Sequence, residues 1–372
     1  MFIDLKTQSR LIKKKYNKKL DDIITNARFI NGIEVEEFEK QSASFLGYSH
    51  GVGVSSGTDA LLITMLALGV NSKTKVFLPA FTYTASAEAI CLLGAKPVFV
   101  DVDKDTFLIS AIALKKSLQK HSVPGDLIMP VDLFGYPCDY DELAPLAQEF
   151  GVKIFVDGAQ GFGSKYKGKS SFIGIEAFCT SFFPAKPLGC FGDGGAIYTD
   201  NLCLFNTLKS IRNHGMGDNK YDIKRVGVNG RLDTIQAAAL SCKLEIFEEE
   251  LSIKRNILST YNRELAKLLT PQTTPYSSLS ACAQATFLLP EGIENAEFAN
   301  KMKEHDIPTM IYYPKTVAEQ TAYSRKGILS DGLTTSNSLT KRSISFPFHA
   351  YLSNGDVEKV IEKTIHVINN EF

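Results

Sequence analysis

The sequence predicts an α/β fold. A large domain is built on a mostly parallel seven-stranded sheet sandwiched by helices, and a smaller C-terminal α+β domain follows. Two observations predict this. Short apolar runs at 51–55, 75–79, 97–102, 127–133, 153–157, 176–182 and 194–199 have the length and composition of strands buried on both faces. Helical segments at 58–69, 83–93, 110–120 and 140–150 separate the first five, which is the rhythm of parallel strands joined by crossover helices. From about residue 246 the composition becomes more polar and the rhythm weakens, which places the domains at 1–245 and 246–372.

In chain order, residues 1 to about 50 read as helical and peripheral. Met1 to Lys19 alternates polar and basic residues without an apolar core of signal-peptide length, and no apolar run is long enough to span a membrane. Phe29-Ile30-Asn31-Gly32 reads as a loop, and an amphipathic helix begins at Val35-Glu36-Glu37-Phe38-Glu39-Lys40. The strand ends at 55, 79, 133 and 157 run into glycine, proline or small polar residues. In open α/β sheets the site lies beyond such carboxyl ends. Ala237 to Leu251 reads as a helix with Lys243, Glu245 and Glu248 to Glu250 facing water. In the smaller domain, Ala285 to Pro290, Thr309 to Tyr313 and Ser343 to Pro347 read as strands. Asn295 to His305 and the stretch from about 353 to 369 read as helices.

The chain has 372 residues, 44% of them hydrophobic, which is ample for a large core. Its 41 Lys+Arg balance 41 Asp+Glu, so no basic surplus points to nucleic acid or an anionic membrane. The seven cysteines are odd in number and none forms a CxxC pair, which suits reduced core residues of a cytoplasmic protein with no metal site.

Three stretches carry the chemistry. In the first, Thr180 to Ala196, Lys186 stands between Pro184 and Pro187, ahead of four glycines. The prolines fix the backbone and the glycines allow close approach. A lysine held this way and partly desolvated loses its charge easily and can attack a carbonyl. The second, Lys153-Ile154-Phe155-Val156-Asp157-Gly158-Ala159-Gln160, is an apolar strand ending in an acid. The third, Val52 to Leu62, is a strand, a Ser/Gly/Thr turn and a helix start, which is an anion site. Together they offer what pyridoxal 5'-phosphate requires: a phosphate cradle, an acid for the ring nitrogen and a Schiff-base lysine.

On these residues the chain resembles the nucleotide-sugar aminotransferases of the DegT type, which share the aspartate-aminotransferase fold (fold type I). The resemblance runs nearly end to end. It includes Phe29-Ile30-Asn31-Gly32, Ser56-Gly57-Thr58-Asp59-Ala60-Leu61, Pro79-Ala80-Phe81-Thr82-Tyr83 and Asp157-Gly158-Ala159-Gln160. It continues through Ser181 to Lys186, Gly192-Asp193-Gly194-Gly195, Arg212-Asn213-His214-Gly215, Asn229-Gly230-Arg231-Leu232-Asp233 and Tyr312-Tyr313-Pro314.

The resemblance implies a role for each. Lys186 is the catalytic amine, and Asp157 pairs with the ring nitrogen. Gln160 lies beside the ring's phenolic oxygen, and Tyr83 stacks on the ring. Gly57, Thr58 and Ser181 hold the phosphate. Asn229 reaches the phosphate of a neighbouring subunit, which implies a homodimer with shared sites. Arg231, His214, Tyr312 and Tyr313 stand where the family contacts the sugar and its pyrophosphate. The implied reaction aminates a keto group of a UDP- or dTDP-linked sugar, with L-glutamate as donor, for surface polysaccharide or glycoconjugate synthesis. Arg231-Leu232-Asp233 is more similar to members acting at C3 than at C4. One departure stands out: many members follow Tyr-Tyr-Pro with Leu-His-x-Gln, whereas this chain has Val317-Ala318-Glu319-Gln320. The rival expectations are a sugar dehydratase of the same fold, in which histidine replaces the lysine, and a non-catalytic regulatory homologue.

Overall fold

The computed structural model describes residues 2–372 apart from 171, 173, 220, 275, 276 and 331. Two helices, α1 (Leu5–Asn26) and α2 (Ile33–Leu46), precede the first strand. The main sheet takes β1 (His50–Val54), β2 (Lys75–Pro79), β3 (Lys96–Val100), β4 (Leu127–Ile128) and β5 (Lys153–Asp157). After a short ribbon strand, β6 (Lys165–Tyr166), it takes β7 (Ala177–Ser181) and β8 (Gly195–Thr199). The helices α3 (Gly57–Ala67), α4 (Thr84–Leu92), α5 (Ala111–His121) and α6 (Tyr140–Phe150) connect its first five strands, and α7 (Leu202–Arg212) and α8 (Thr234–Leu265) follow β8. The C-terminal region adds β9 (Thr270–Pro271), β10 (Ser278–Leu279), β11 (Ala285–Leu288), α9 (Asn295–Glu304), β12 (Ile328–Leu329), α10 (Thr334–Arg342), β13 (Ser343–Phe346) and α11 (Asn354–Asn370).

Among the described residues the main sheet has eight strands, in the order β1-β8-β7-β5-β4-β2-β3-β12. The eighth, β12, comes from the C-terminal region and pairs parallel with β3, a two-residue strand too short to carry a pattern in the sequence. Only β8 runs against its neighbours. β4 stops at Ile128, well short of residue 133. Pro130 has no N–H for a ladder, and its carbonyl accepts from Asp157 N at 2.9 Å. The chain then turns through a 3-10 segment at Leu133–Gly135. Residues 309–313 form no strand either, and only an isolated bridge joins Met310 to Ser345. The small sheet is instead β13-β11-β9.

The predicted boundary at 245/246 falls inside the 32-residue α8. The N-terminal α1 and the C-terminal α11 both pack on that helix. This reverses two expectations. Glu250 is buried and accepts from Gln8 Nε2 at 2.8 Å and from the Tyr351 hydroxyl. Lys243 is only 2% exposed, with Nζ 4.7 Å from the centre of the Phe191 ring. Of the cysteines, all free, Cys203 is exposed and Cys91 half-buried, and the other five are buried.

Burial pushes the Lys243 amine down to about 8, against the opposing pull of Cys190 and Glu250. Below that pH both folded and unfolded chains carry the proton, so the full cost of burying the charge is present. As pH rises from there to the ordinary lysine value, the folded chain sheds the proton first and the cost fades. Lys243→Met keeps the stem and its contact with Phe191. It is expected to stabilise the fold by about 1–3 kcal/mol at pH 7, the pKa displacement less the lost cation–π attraction. Urea titrations of both proteins at pH 7 and above pH 10 check this, and an undiminished gain at the higher pH would contradict it.

Candidate active site

The topology brings the carboxyl ends of β1, β5 and β7 together. Gly195 at the start of β8 pairs with Val54 on one side and Ser181 on the other, so the turn after β1 lies beside the end of β7. That closeness demands glycine. A Cβ on Gly57 would sit 2.6 Å from Ser181 Cβ, and one on Gly195 would sit 2.5 Å from the Ser56 carbonyl oxygen. Ser56 caps α3 by accepting from Asp59 N at 3.0 Å. The N–H groups of Gly57 and Thr58, first in the helix, have no intrahelical acceptor and form a cradle for an anion.

Lys186 stands on a loop closed by its own backbone. Phe182 N donates to Gly194 O, Cys190 N to Phe182 O and Lys186 N to Phe183 O, each at 2.8 Å. Phe182 is fully buried, edge-on to Phe38 and Phe162, and anchors the loop from behind. A Cβ on Gly189 would meet the Pro184 carbonyl oxygen at 2.4 Å, so the loop closes only with glycine there. Cys190 is structural: its Sγ lies 3.0 Å from the carbonyl oxygens of Phe182 and Gly192. Burial pushes the Lys186 amine below its ordinary value, while Asp157 pulls the other way. The outcome is an amine easily made neutral and nucleophilic.

Asp157, the last residue of β5, is 5% exposed. Its Oδ2 accepts from Ser86 Oγ at 2.6 Å and its Oδ1 from Ala159 N at 3.2 Å. Burial raises its carboxyl, and these two donors and Lys186 oppose the rise. Gln160 is fixed at both ends: Oε1 accepts from Phe134 N at 2.7 Å and Nε2 donates to the Tyr313 hydroxyl at 3.1 Å. Tyr83, ahead of α4, is 55% exposed, with its ring 5.9 Å from that of Tyr313.

One cavity of about 460 Å³ gathers Gly57, Thr58, Tyr83, Asp157, Gln160, Ser181, Lys186, Tyr312 and Tyr313. Asn229, Arg231 and His214 do not line it. Asn229 and His214 lie exposed on the 213–231 segment, where Asn229 bridges to Asn213. Arg231 bridges to Val54, and its buried Nε has no partner among the described residues. Ala318, where the resemblance predicts histidine, is packed in the core on a 3-10 turn capped by Thr316 and Glu319, and it does not line the cavity. Two polar residues of the site escaped sequence reasoning: Ser86, through its bond to Asp157, and Gln284, which lines the cavity. The hydroxyl-rich start of α4 was a signal for Ser86, whereas Gln284 carried none. His305, His366 and Glu371 come close enough to one another to hold a metal ion, and none of them lines the cavity.

The model of the DegT/DnrJ/EryC1/StrS aminotransferase family matches residues 10–364. The chain belongs to this family. It is 37% identical to the UDP-2-acetamido-2-deoxy-3-oxo-D-glucuronate aminotransferase of Pseudomonas aeruginosa, over 96% of this chain and 97% of that one. It is 30% identical to the dTDP-3-amino-3,4,6-trideoxy-alpha-D-glucose transaminase of Streptomyces venezuelae, over 97% and 94%. The crystal structure of a DegT DnrJ EryC1 StrS aminotransferase from Brucella abortus superposes with a TM-score of 0.93 at 36% identity, covering all of both chains.

The chain is thus an aminotransferase, and its cofactor is pyridoxal phosphate. The residues present fit that group. The free N–H groups of α3 suit a phosphate, the carboxyl group of Asp157 a ring-nitrogen proton, and Lys186 the aldehyde. The expected fold type holds as well. Among the described residues no helix is long and apolar enough to cross a membrane.

Proposed function

We propose that the protein transfers an amino group from L-glutamate to the keto carbon at C3 of a nucleotide-linked sugar, in a homodimer with shared sites. The observation that carries this reading is Lys186, its charge weakened by burial, in one cavity with the buried carboxylate of Asp157. A nucleotide-linked keto sugar as acceptor is supported by the relatives, one named for a nucleotide-linked 3-oxo sugar and the other for a nucleotide-linked 3-amino sugar. The sugar in the Pseudomonas relative's name carries its oxo group at C3, which agrees with the Arg231-Leu232-Asp233 triplet. A lysine, and not a histidine, at position 186 speaks against the dehydratase reading, and the complete cavity against a non-catalytic one.

Pyridoxal phosphate, when bound, supplies the carbonyl that carries nitrogen between substrates and the ring that accepts the electron pair. The chain does the rest. Gly57, Thr58 and Ser181 bind the phosphate, and Asp157 holds the proton on the ring nitrogen. Gln160, fixed by Phe134, sets the ring's orientation. Lys186 Nζ takes and returns the proton at the reacting carbon of the substrate. The enzyme loaded with the amino form of the cofactor and offered keto sugars on uridine or thymidine diphosphate should react with a 3-keto sugar. Amination of 4-keto sugars alone would overturn the C3 assignment.

The dimer rests on Asn229, Arg231 and His214 lying outside their own cavity, beside exposed apolar side chains. Tyr221 is 86% and Val226 83% exposed on the same 213–231 segment. Asn229→Ala is expected to weaken cofactor binding by about 1–3 kcal/mol, the cost of a hydrogen bond to a charged group. If Asn229 serves the partner's site, mixing Asn229→Ala with Lys186→Ala chains restores one intact site per mixed dimer, at wild-type cofactor affinity. A cofactor titration that finds only weakened sites, or an active monomer, would refute the shared site.

A further inference from the structure

We infer that Gln284 is a specificity-determining residue, one that hydrogen-bonds the hydroxyl or acetamido group next to the keto carbon of the sugar. The observation is an orphaned carboxamide in the catalytic cavity. Gln284 lines the same cavity as Tyr312 and Tyr313, yet its Oε1 is buried with no hydrogen-bond partner among the described residues. A buried polar atom left so is costly.

The backbone beneath the side chain is rigid. Ala281 N donates to Gly135 O at 2.8 Å and Ala283 N to Phe134 O at 3.3 Å. On the other side, Ala285 pairs with Phe346 in the small sheet. Gly135, with φ +96°, approaches so closely that a Cβ there would lie 2.9 Å from Cys282 N. The same Phe134 is tied to Gln160, so Gln284 is carried at a fixed distance from the residue assigned to the ring. A neutral group on a rigid mount is suited to reading a substrate, because little freedom is lost when it binds.

Six polar groups of the cavity are already assigned to the cofactor, and Tyr312 and Tyr313 stand on the sugar's side. Gly57, Thr58 and Ser181 face the phosphate, and Asp157, Gln160 and Lys186 face the ring. Gln284 is neutral and offers both a donor and an acceptor, interchangeable by rotating the amide. That suits a sugar hydroxyl or acetamido group, which likewise gives and takes. It suits the carboxylates of an amino-acid donor less well, since they are matched best by the charged forks of arginine or by lysine. This assignment rests on the sugar-aminotransferase reading above.

The test separates the two half-reactions. Gln284→Met fills the same space without polar atoms and is expected to fold with unchanged or higher thermal stability. Its half-reaction with L-glutamate should stay within about twofold of wild type. Its kcat/KM for UDP-2-acetamido-2-deoxy-3-oxo-D-glucuronate, measured with the amino form of the cofactor, should fall ~10–100-fold, the loss expected when one partner of a hydrogen bond to substrate is removed. The same sugar without its 2-acetamido group should be penalised in wild type and treated equally by the variant. Gln284→Asn, polar but shorter, should recover part of the loss. Equal losses in both half-reactions, or none in the sugar half-reaction, would overturn the assignment. A wild-type enzyme that reacts with glutamate but with no nucleotide sugar would overturn the functional reading itself, and this inference with it.

Discussion

Lys186→Ala is expected to lower multiple-turnover transamination on the order of 10⁴-fold or more, because one amine serves as both nucleophile and proton carrier. The same change should leave the fold intact. The Lys186 side chain has no hydrogen bond or ion pair among the described residues, and its backbone N–H, which closes the loop on Phe183, survives the substitution. Burial already works against the ammonium, so its removal costs little and can raise the melting temperature. The pair of measurements is therefore diagnostic: steady-state rates with glutamate and the best acceptor, and thermal unfolding of both proteins. Turnover within tenfold of wild type would remove Lys186 from the mechanism. Loss of activity together with loss of the folded state would leave the residue a structural one.

What was legible in the sequence is what local chemistry writes there. Lys186 lies in a proline-flanked loop ahead of four glycines, Asp157 at the end of an apolar strand, and Gly57 at a strand-to-helix turn. Each signal is contained within a dozen residues, and the structure brings all three to one cavity. What was not legible depends on neighbours distant in the chain. Ser86 matters because it reaches Asp157, 71 residues away. Lys243 sits among acids on a helix that reads as water-facing, and only the packing around Phe191 shows it buried. β12 has two residues, and no periodicity can be read from two. Asn229, Arg231 and His214 are a different case: sequence likeness brings them to a site, and the single chain leaves them outside its own cavity.

Asp157→Asn is expected to separate activity from stability. The asparagine keeps the shape and can still accept a hydrogen bond from Ser86 or Ala159, but it cannot hold a proton on a ring nitrogen. A charge that matters only while the reacting carbon gives up its proton acts on the barrier, and losing it should cost about 2–4 kcal/mol there, a 30- to 1,000-fold drop in kcat. Cofactor affinity should change far less, since the phosphate cradle is untouched. Folding of the cofactor-free protein should move the other way. Burial lifts the Asp157 carboxyl above its ordinary value, so between those two pKa values the folded chain holds the proton and the unfolded chain does not. Stability therefore falls as pH rises through that window, and at neutral pH the buried charge is a net cost. The asparagine variant lacks this pH-dependent loss and should be as stable as wild type or more so at pH 7, with the difference shrinking as the pH is lowered through the window. Denaturant titrations of the cofactor-free proteins at several pH values, beside single-turnover rates, give both numbers. A variant less stable at neutral pH yet nearly as active would mean that Asp157 holds the β5 turn together and does not face the ring.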